Sequence, residues 1–520
     1  MLPSACSTIS STSDCGRQQG LSSDYYADRI RMRVMDVHAE PSPPAAGLAS
    51  AAAPQRLRSI EELPGPRGWP LVGNLPQVRM ARIHQDMERW SRQYGPLFRV
   101  RLGPTRLLVV ADHVIVNALL RDRPDGFRRS SRLREVGIEM GGTPGLFSAE
   151  GDAWRQQRRM VMASFTPGHI RAFLPQLRAV TSRLQERWRK AAQAGVWIDL
   201  QADLKRFTVD AIAGLAFGTE VNTLESGDDV IQRHLDIVLS GLYRRVMSPL
   251  PYWRWIRLPA DRQLERSNAA VRKAIEGFVA AARDRMQADP TLHEHPRNLL
   301  EAMLAAADAG DAGVDDRDVA GNVSTMLFAG EDTTANTLAW LIWLLHRHPD
   351  ALGRAQLEVR EAVPDLAALT LERVEALHYL DACASEAMRL KPVAPFLGIE
   401  ALRDTTIADI RVPARTLVWC VMRRDSVDDR YFQNAAAFEP ARWLGDAAAA
   451  KRIAMPFGSG PRICPGRYLA LLEIKLAMTM LLGNFEVIAV DTPDGGEARE
   501  VMHFTMNPVG LRMRLRERPN

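Results

Sequence analysis

Apolar positions recur every three to four residues over long stretches of the chain, and that period predicts amphipathic helices over about 84–94, 169–193, 203–217, 261–288, 318–348 and 350–362. Alternation with period two is confined to a few places. PLFRVRL and TRLLVV flank Gly103-Pro104 and predict a β-hairpin, while TLVWCVM, FEVIAV and the Leu511, Met513, Leu515 alternation predict short strands late in the chain. Ahead of the first helix, LPGPRGWPLVGN alternates proline and glycine, which forbids helix and predicts an extended lead-in from near Leu63. Strands at both ends with helices between them predict a mainly α fold with small β-sheets at its edge, one large domain over 59–520 rather than several in series. Residues 1–58, rich in Ser, Ala and Pro without sustained periodicity, are expected to be a disordered extension.

Composition narrows this only coarsely. With 520 residues, 46% apolar and 25% charged, the chain has the balance of a globular enzyme and is not disordered throughout. The 67 basic and 62 acidic residues leave a formal charge of +5, too small at this length to argue for a nucleic-acid partner. Five cysteines, Cys6, Cys15, Cys383, Cys420 and Cys464, lack paired metal-ligand spacing and are odd in number, which favours a reducing compartment over a disulfide framework. No apolar run near the start reaches the ~18 to 20 residues of a membrane span, so no transmembrane anchor is expected. The Ser-rich opening carries Arg29, Arg31 and Arg33, as a mitochondrial presequence would, but Asp14, Asp24 and Asp28 oppose that reading and favour a soluble, cytoplasmic protein of bacterial type.

The segment richest in chemistry is Phe457-Gly-Ser-Gly-Pro-Arg-Ile-Cys464-Pro-Gly466, followed by the helical pattern RYLALLEIKLAMTMLL. A cysteine just before a helix start faces unpaired backbone N–H groups and the positive end of the helix dipole, and both favour a thiolate. Pro465 suits the first helical position, and Gly458, Gly460 and Gly466 permit tight turns and the close approach of a flat macrocycle. A lone cysteine in a Gly-rich turn can also be no more than a buried small hydrophobe. The pattern FxxGxRxCxG tips the balance, because it resembles the heme-binding signature of the cytochrome P-450 family. That resemblance implies heme b (iron protoporphyrin IX) with Cys464 as its iron ligand, Arg462 reaching a propionate, Phe457 shielding the sulfur, and Gly458 and Gly466 giving the cofactor room.

Other segments match the family in order and spacing. Glu386 and Arg389 in EAMRL lie three apart on a predicted helix, and Arg442 in FEPARW stands where the family closes a Glu-Arg-Arg network. Ala329-Gly-Glu-Asp-Thr-Thr334 places two acids in an apolar helix, which is costly without a purpose, and it resembles the family's oxygen-activation segment. The resemblance makes Glu331, Asp332 and Thr333 the expected catalytic residues. Asp332 and Thr333 would relay protons, Gly330 would open a groove for dioxygen, and Ala329 would lie against the cofactor; threonine back-bonding without chemistry is the alternative. Trp154 and Arg158 in GDAWRQQRR match the WxxxR pattern and are expected to donate to heme propionates. The chain departs from the family at Arg415, where glycine is usual, and at Glu400, near where many members carry a base for a propionate.

The resemblance implies a heme-thiolate monooxygenase that inserts one oxygen atom from O2 into a lipophilic small-molecule substrate, using two electrons and two protons. Few residues follow Cys464, and no GxGxxG accompanies a βαβ pattern. Electrons are therefore expected from a separate ferredoxin- or flavodoxin-type donor with its reductase, steered to a cationic patch of Arg155, Arg158, Arg159, Arg467 and Lys475. Substrate contacts are expected from 136–147, Phe328, Ala329, 393–397 and 504–506. A thiolate-heme peroxygenase or isomerase, or a heme sensor without catalysis, would need no Asp332-Thr333 relay, and that pair argues against both.

Overall fold

The computed structural model describes residues 56–226, 230–310, 313–363 and 369–518. The extension expected over 1–58 therefore lies outside the described residues up to Gln55. Arg58, however, is already tied in: its guanidinium grips Asp409 at 2.6 and 2.9 Å, and its backbone bridges to Ile410. The folded part thus begins before Leu63, because a side chain of opposite charge far along the sequence anchors the lead-in.

Each predicted helix is present with its ends moved by a few residues: Ile83–Tyr94, Pro167–Ala194, Leu200–Phe217, Pro259–Ala288, Asp316–Arg347 and Pro349–Ala362. Their ends have chemical causes. Asp315 accepts from the Arg317 and Asp318 N–H groups to start the long helix, and Gly195, left-handed at φ +65°, stops the Pro167–Ala194 helix. Periodicity alone does not delimit His113–Arg121 or Ser131–Glu139, which at 9 residues each are too short to show a stripe. The long helix runs through the centre, and every residue from Ala335 to Leu345 is buried, the mark of a helix with protein on all sides. One apolar core forms around Trp188, Phe207, Trp340 and Phe485, and a second around Phe173, Phe217 and Phe278, with Leu200–Phe217 packed along the long helix between them.

The predicted hairpin pairs Leu97–Leu102 with Thr105–Val110 and forms one edge of a five-stranded sheet. Leu417–Val421 lies parallel to Thr105–Val110, then Phe396–Ala401 and Phe127–Arg129 follow antiparallel. The strands absent from the sequence reading are short or begin beside proline, so alternation hardly registers in them. Among these is the hairpin of Glu500–Met502 and Met506–Pro508, whose turn reaches the long helix. Before Leu417–Val421, Arg415 stands at φ +67° and donates its N–H to the Ala401 carbonyl at 2.7 Å. The turn therefore keeps the left-handed conformation that glycine normally supplies, and an arginine bears the ~1 to 2 kcal/mol steric cost.

Candidate functional site

The cysteine loop is built by backbone geometry. Cys464 N–H donates to the Phe457 carbonyl at 3.0 Å and closes the loop. Gly460, at φ +71°, lies so near the His113–Arg121 helix that a Cβ would come within 2.5 Å of the Leu120 carbonyl oxygen. The following helix starts at Arg467 with Gly466 as its N-cap, so Pro465 precedes the first turn and does not occupy the first helical position as the sequence suggested. Cys464 still meets the helix start: burial pushes its thiol up, while the Gly466 N–H and the Arg158 and Arg467 guanidinium groups pull it back. Cys383 and Cys420 are fully buried in apolar cores, and burial drives both thiols up, that of Cys420 to about 12. Cys464 is only half-buried, the one of the three placed to meet a ligand. A metal takes the proton off a coordinating thiol, so burial does not oppose ligation there.

Four arginines gather on one side of this loop. Trp154 is buried with its ring 4.7 Å beneath the Arg462 guanidinium, which donates to the Ala149 carbonyl at 2.6 Å and pairs with Glu150. Arg158, one turn beyond Trp154, lies close enough to Cys464 for each charge to bias the other. Arg123 and Arg129 complete the group and were not singled out in the sequence. Arg129 donates from Nε to the Phe147 carbonyl at 2.7 Å, with its guanidinium 3.6 Å from the Phe147 ring centre. Arg123 is buried, with Nε and Nη2 lacking any partner. Burial followed by mutual repulsion pushes Arg129 well down, and burial takes Arg462 to about 10. Buried cations with orphaned N–H groups and one carboxylate among them are costly unless an anion joins them. The two propionates of heme fit that demand. The run GFRRSSRLRE reads as a plain basic segment, and nothing in it tells which arginines turn inward. Glu400, by contrast, accepts from Arg128 at 2.5 Å and from Ser131 N and Oγ at 3.0 and 2.7 Å, and so fastens the start of the Ser131–Glu139 helix.

On the long helix, the Thr333 hydroxyl donates to the Ala329 carbonyl at 2.6 Å. The Asp332 carboxylate receives Asn336 Nδ2 at 3.0 Å, Lys205 Nζ at 3.1 Å and the Thr505 hydroxyl. Glu331 is fully buried and neither carboxylate oxygen has a partner; burial, then the nearby Asp236 charge, pushes it well above the usual carboxylate range and so toward the neutral acid. Gly330 faces the neighbouring helix, where a Cβ would stand 3.1 Å from Ile212 Cγ1. Its lack of a side chain lets the Leu200–Phe217 helix pack close at that point. Lys205 and Thr505 come from distant elements, and no local pattern marks them.

The expected substrate segments converge in part. The Phe147 and Phe504 rings lie 5.7 Å apart, and Met506 N–H donates to the Val393 carbonyl at 2.8 Å. The Glu-Arg-Arg network is complete: Glu386 takes two bonds of 2.7 Å from Arg389, one of 2.9 Å from Arg442 Nε and one of 2.7 Å from Trp443 Nε1. The cationic patch is thinner than expected. Lys475 is largely buried with Asp381 at 3.6 Å, and Arg155 is neutralised by Asp125 and Asp152, leaving exposed Arg159 and half-buried Arg467 stacked on Tyr468.

The cytochrome P450 family model matches residues 63–513. A self-sufficient cytochrome P450 monooxygenase of Aspergillus niger is 28% identical over 473 residues, 88% of this chain and 42% of that protein, so the chain spans less than half of that relative. The mitochondrial 25-hydroxyvitamin D-1 alpha hydroxylase of Rattus norvegicus is 28% identical over 463 residues, 83% of this chain and 89% of that protein. A solved mutant heme domain of cytochrome P450DA has the same fold, with a TM-score of 0.76 over 88% of this chain and 98% of that one at 23% identity. Among the described residues no helix is long and apolar enough to cross a membrane.

Proposed function

The chain belongs to the cytochrome P450 family, whose members bind heme b, and on that premise we propose that it is a heme-thiolate monooxygenase acting on a lipophilic substrate. The observation that carries this reading is the setting of Cys464: a half-buried thiol at a helix start, met by the Gly466 N–H and flanked by Arg158 and Arg467. Heme would be held by Cys464 at the iron and by Arg462, Arg158, Trp154, Arg123 and Arg129 at the propionates, with Phe457, Gly458, Gly466 and Ala329 against the ring. Bound heme supplies the iron at which dioxygen is split, one atom going to carbon and the other leaving as water.

The protein's own part is proton supply and placement. Thr333 spends its hydroxyl proton on the Ala329 carbonyl, which leaves its oxygen as an acceptor for a water in the pocket. Asp332, one residue away, connects through Lys205 to Asp236, whose side chain is 43% exposed, and so offers a route for protons from solvent. Phe147 and Phe504 present apolar faces suited to a lipophilic molecule. Electrons would come from a ferredoxin- or flavodoxin-type donor with its reductase, docking where Arg159 and Arg467 remain available.

Thr333→Ala is expected to keep heme and ligand binding while diverting most reducing equivalents to peroxide or water, since general acid–base groups contribute ~10²- to 10⁴-fold. Product and peroxide per NADPH, measured with a generic redox pair, check this. Full coupling in the variant would leave Thr333 only its bond to Ala329 and remove the monooxygenase relay.

A further inference from the structure

Asp332 is held by three elements at once. In its own helix, Asn336 Nδ2 reaches its carbonyl oxygen at 2.8 Å and Oδ1 at 3.0 Å. From the Leu200–Phe217 helix, Lys205 Nζ stands 3.1 Å from Oδ1. From the turn of the 500–508 hairpin, the Thr505 hydroxyl bonds Oδ2. Both carboxylate oxygens are thereby engaged by residues other than Thr333, whose hydroxyl is turned to Ala329. A relay that joins Asp332 to Thr333 needs one of these holds to release.

Thr505 is the hold built to release. Its single hydroxyl proton faces two acceptors, Asp332 Oδ2 and Asn507 Oδ1, the latter at 2.9 Å, so turning the O–H exchanges one bond for the other without stranding the proton. Asn507 is kept ready by Asn336 Nδ2, which donates to it at 2.6 Å. Lys205 differs in kind: its ammonium sits between the Asp236 and Asp332 carboxylates and is held by charge to both.

The hairpin is held at its base by ion pairs and carries Phe504 at its tip. Glu500 is gripped by Arg423 at 2.8 and 2.9 Å, Lys391 at 2.6 Å and His84 Nε2 at 2.9 Å. At the tip, Phe504 precedes Thr505 in the chain and sets its ring against Phe147. Phe504 and Thr505 are adjacent in the chain, so the Phe504 ring and the Thr505 hydroxyl are carried by one stretch of backbone.

We propose that Thr505 is a positioning residue, a latch that holds Asp332 off Thr333 and opens when a molecule in the pocket bears on Phe504. This rests on the relay reading of Asp332 and Thr333. It makes proton delivery conditional on substrate, and so suppresses the wasteful reaction in which two electrons and two protons reduce dioxygen to hydrogen peroxide.

The test uses the heme-loaded full chain without substrate, NADPH, and a ferredoxin and reductase pair that reduces the wild type; the readout is peroxide formed per minute per heme. Thr505→Val, similar in shape but without a hydroxyl, is expected to raise this leak about three- to tenfold, and Thr505→Ser to return it to the wild-type rate. Phe504→Trp, which crowds Phe147, should raise it as well, with no further rise when combined with Thr505→Val, since both act on one latch. A leak unchanged or lowered in Thr505→Val, or effects of the two substitutions that multiply, overturns the latch. Adding Asp332→Asn to Thr505→Val should abolish the extra leak. If it persists, the protons do not pass through Asp332 and the relay reading itself falls.

Discussion

Cys464→Ser is expected to abolish monooxygenase turnover, by at least about a thousandfold, or ~4 kcal/mol of barrier at about 1.4 kcal/mol per tenfold. A serine hydroxyl at the same place cannot push electron density onto iron as a thiolate does, and that push favours O–O cleavage. Cys383→Ala and Cys420→Ala should keep turnover per heme close to wild type, because both side chains lie in apolar cores where burial outweighs the pull of Arg354 on Cys383 and of Arg123 on Cys420. Their effect should be a loss of packing, read as a lower melting temperature. Product formed per heme in the three variants checks this, and turnover in Cys464→Ser comparable with wild type would remove the sulfur from the mechanism.

Glu386→Ala should be the most destabilising single substitution away from the cysteine loop, costing about 3 to 5 kcal/mol. Glu386 and Arg389 are fully buried, and the carboxylate also takes the Glu439 N–H at 2.9 Å besides its bonds from Arg442 and Trp443. Removing it leaves the buried Arg389 guanidinium without its anion and Arg442 with Glu439 alone. The same bonds predict a pH dependence. Burial pushes the Glu386 carboxyl up, but the bonds and charge of Arg389, with the Glu439 and Trp443 N–H groups, outweigh it and hold the carboxyl below its ordinary value. A depressed folded value means that the stabilisation is present above the unfolded carboxylate range, near ~4.3, and is lost as pH falls through the folded value. Wild type should therefore lose stability in acid more steeply than Glu386→Gln, whose melting temperature starts lower. Parallel pH curves for the two proteins would show that Glu386 contributes no such linkage.

Much of this architecture could be read from the chain because its signals are local. The long helices announce themselves by period, and the cysteine loop by glycine, proline and arginine at fixed offsets. Glu386 and Arg389 are three apart on one helix, so their pairing is also local, and only Arg442 needed a family pattern to find it. What escaped the sequence is what tertiary packing decides. Arg123 and Arg129 differ from Arg128 and Arg134 only in which way the chain turns them. Lys205 and Thr505 reach Asp332, and Asn507 reaches Asn336, from elements far away in sequence, and each is an ordinary residue in its own segment. Lys475 is drawn inward beside Asp381, and Ile212 packs against Gly330, contacts that neither local segment announces.

Ligation of heme iron by the Cys464 sulfur as a thiolate is read out by the absorption spectrum of the purified, dithionite-reduced protein under carbon monoxide. The expected spectrum has the strongly red-shifted Soret band that thiolate ligation gives, lost or moved in Cys464→His and retained in Cys383→Ala and Cys420→Ala. A reduced carbon monoxide complex of the wild type with the Soret position of a histidine-ligated heme, or a red-shifted band that survives in Cys464→Ser, would contradict it.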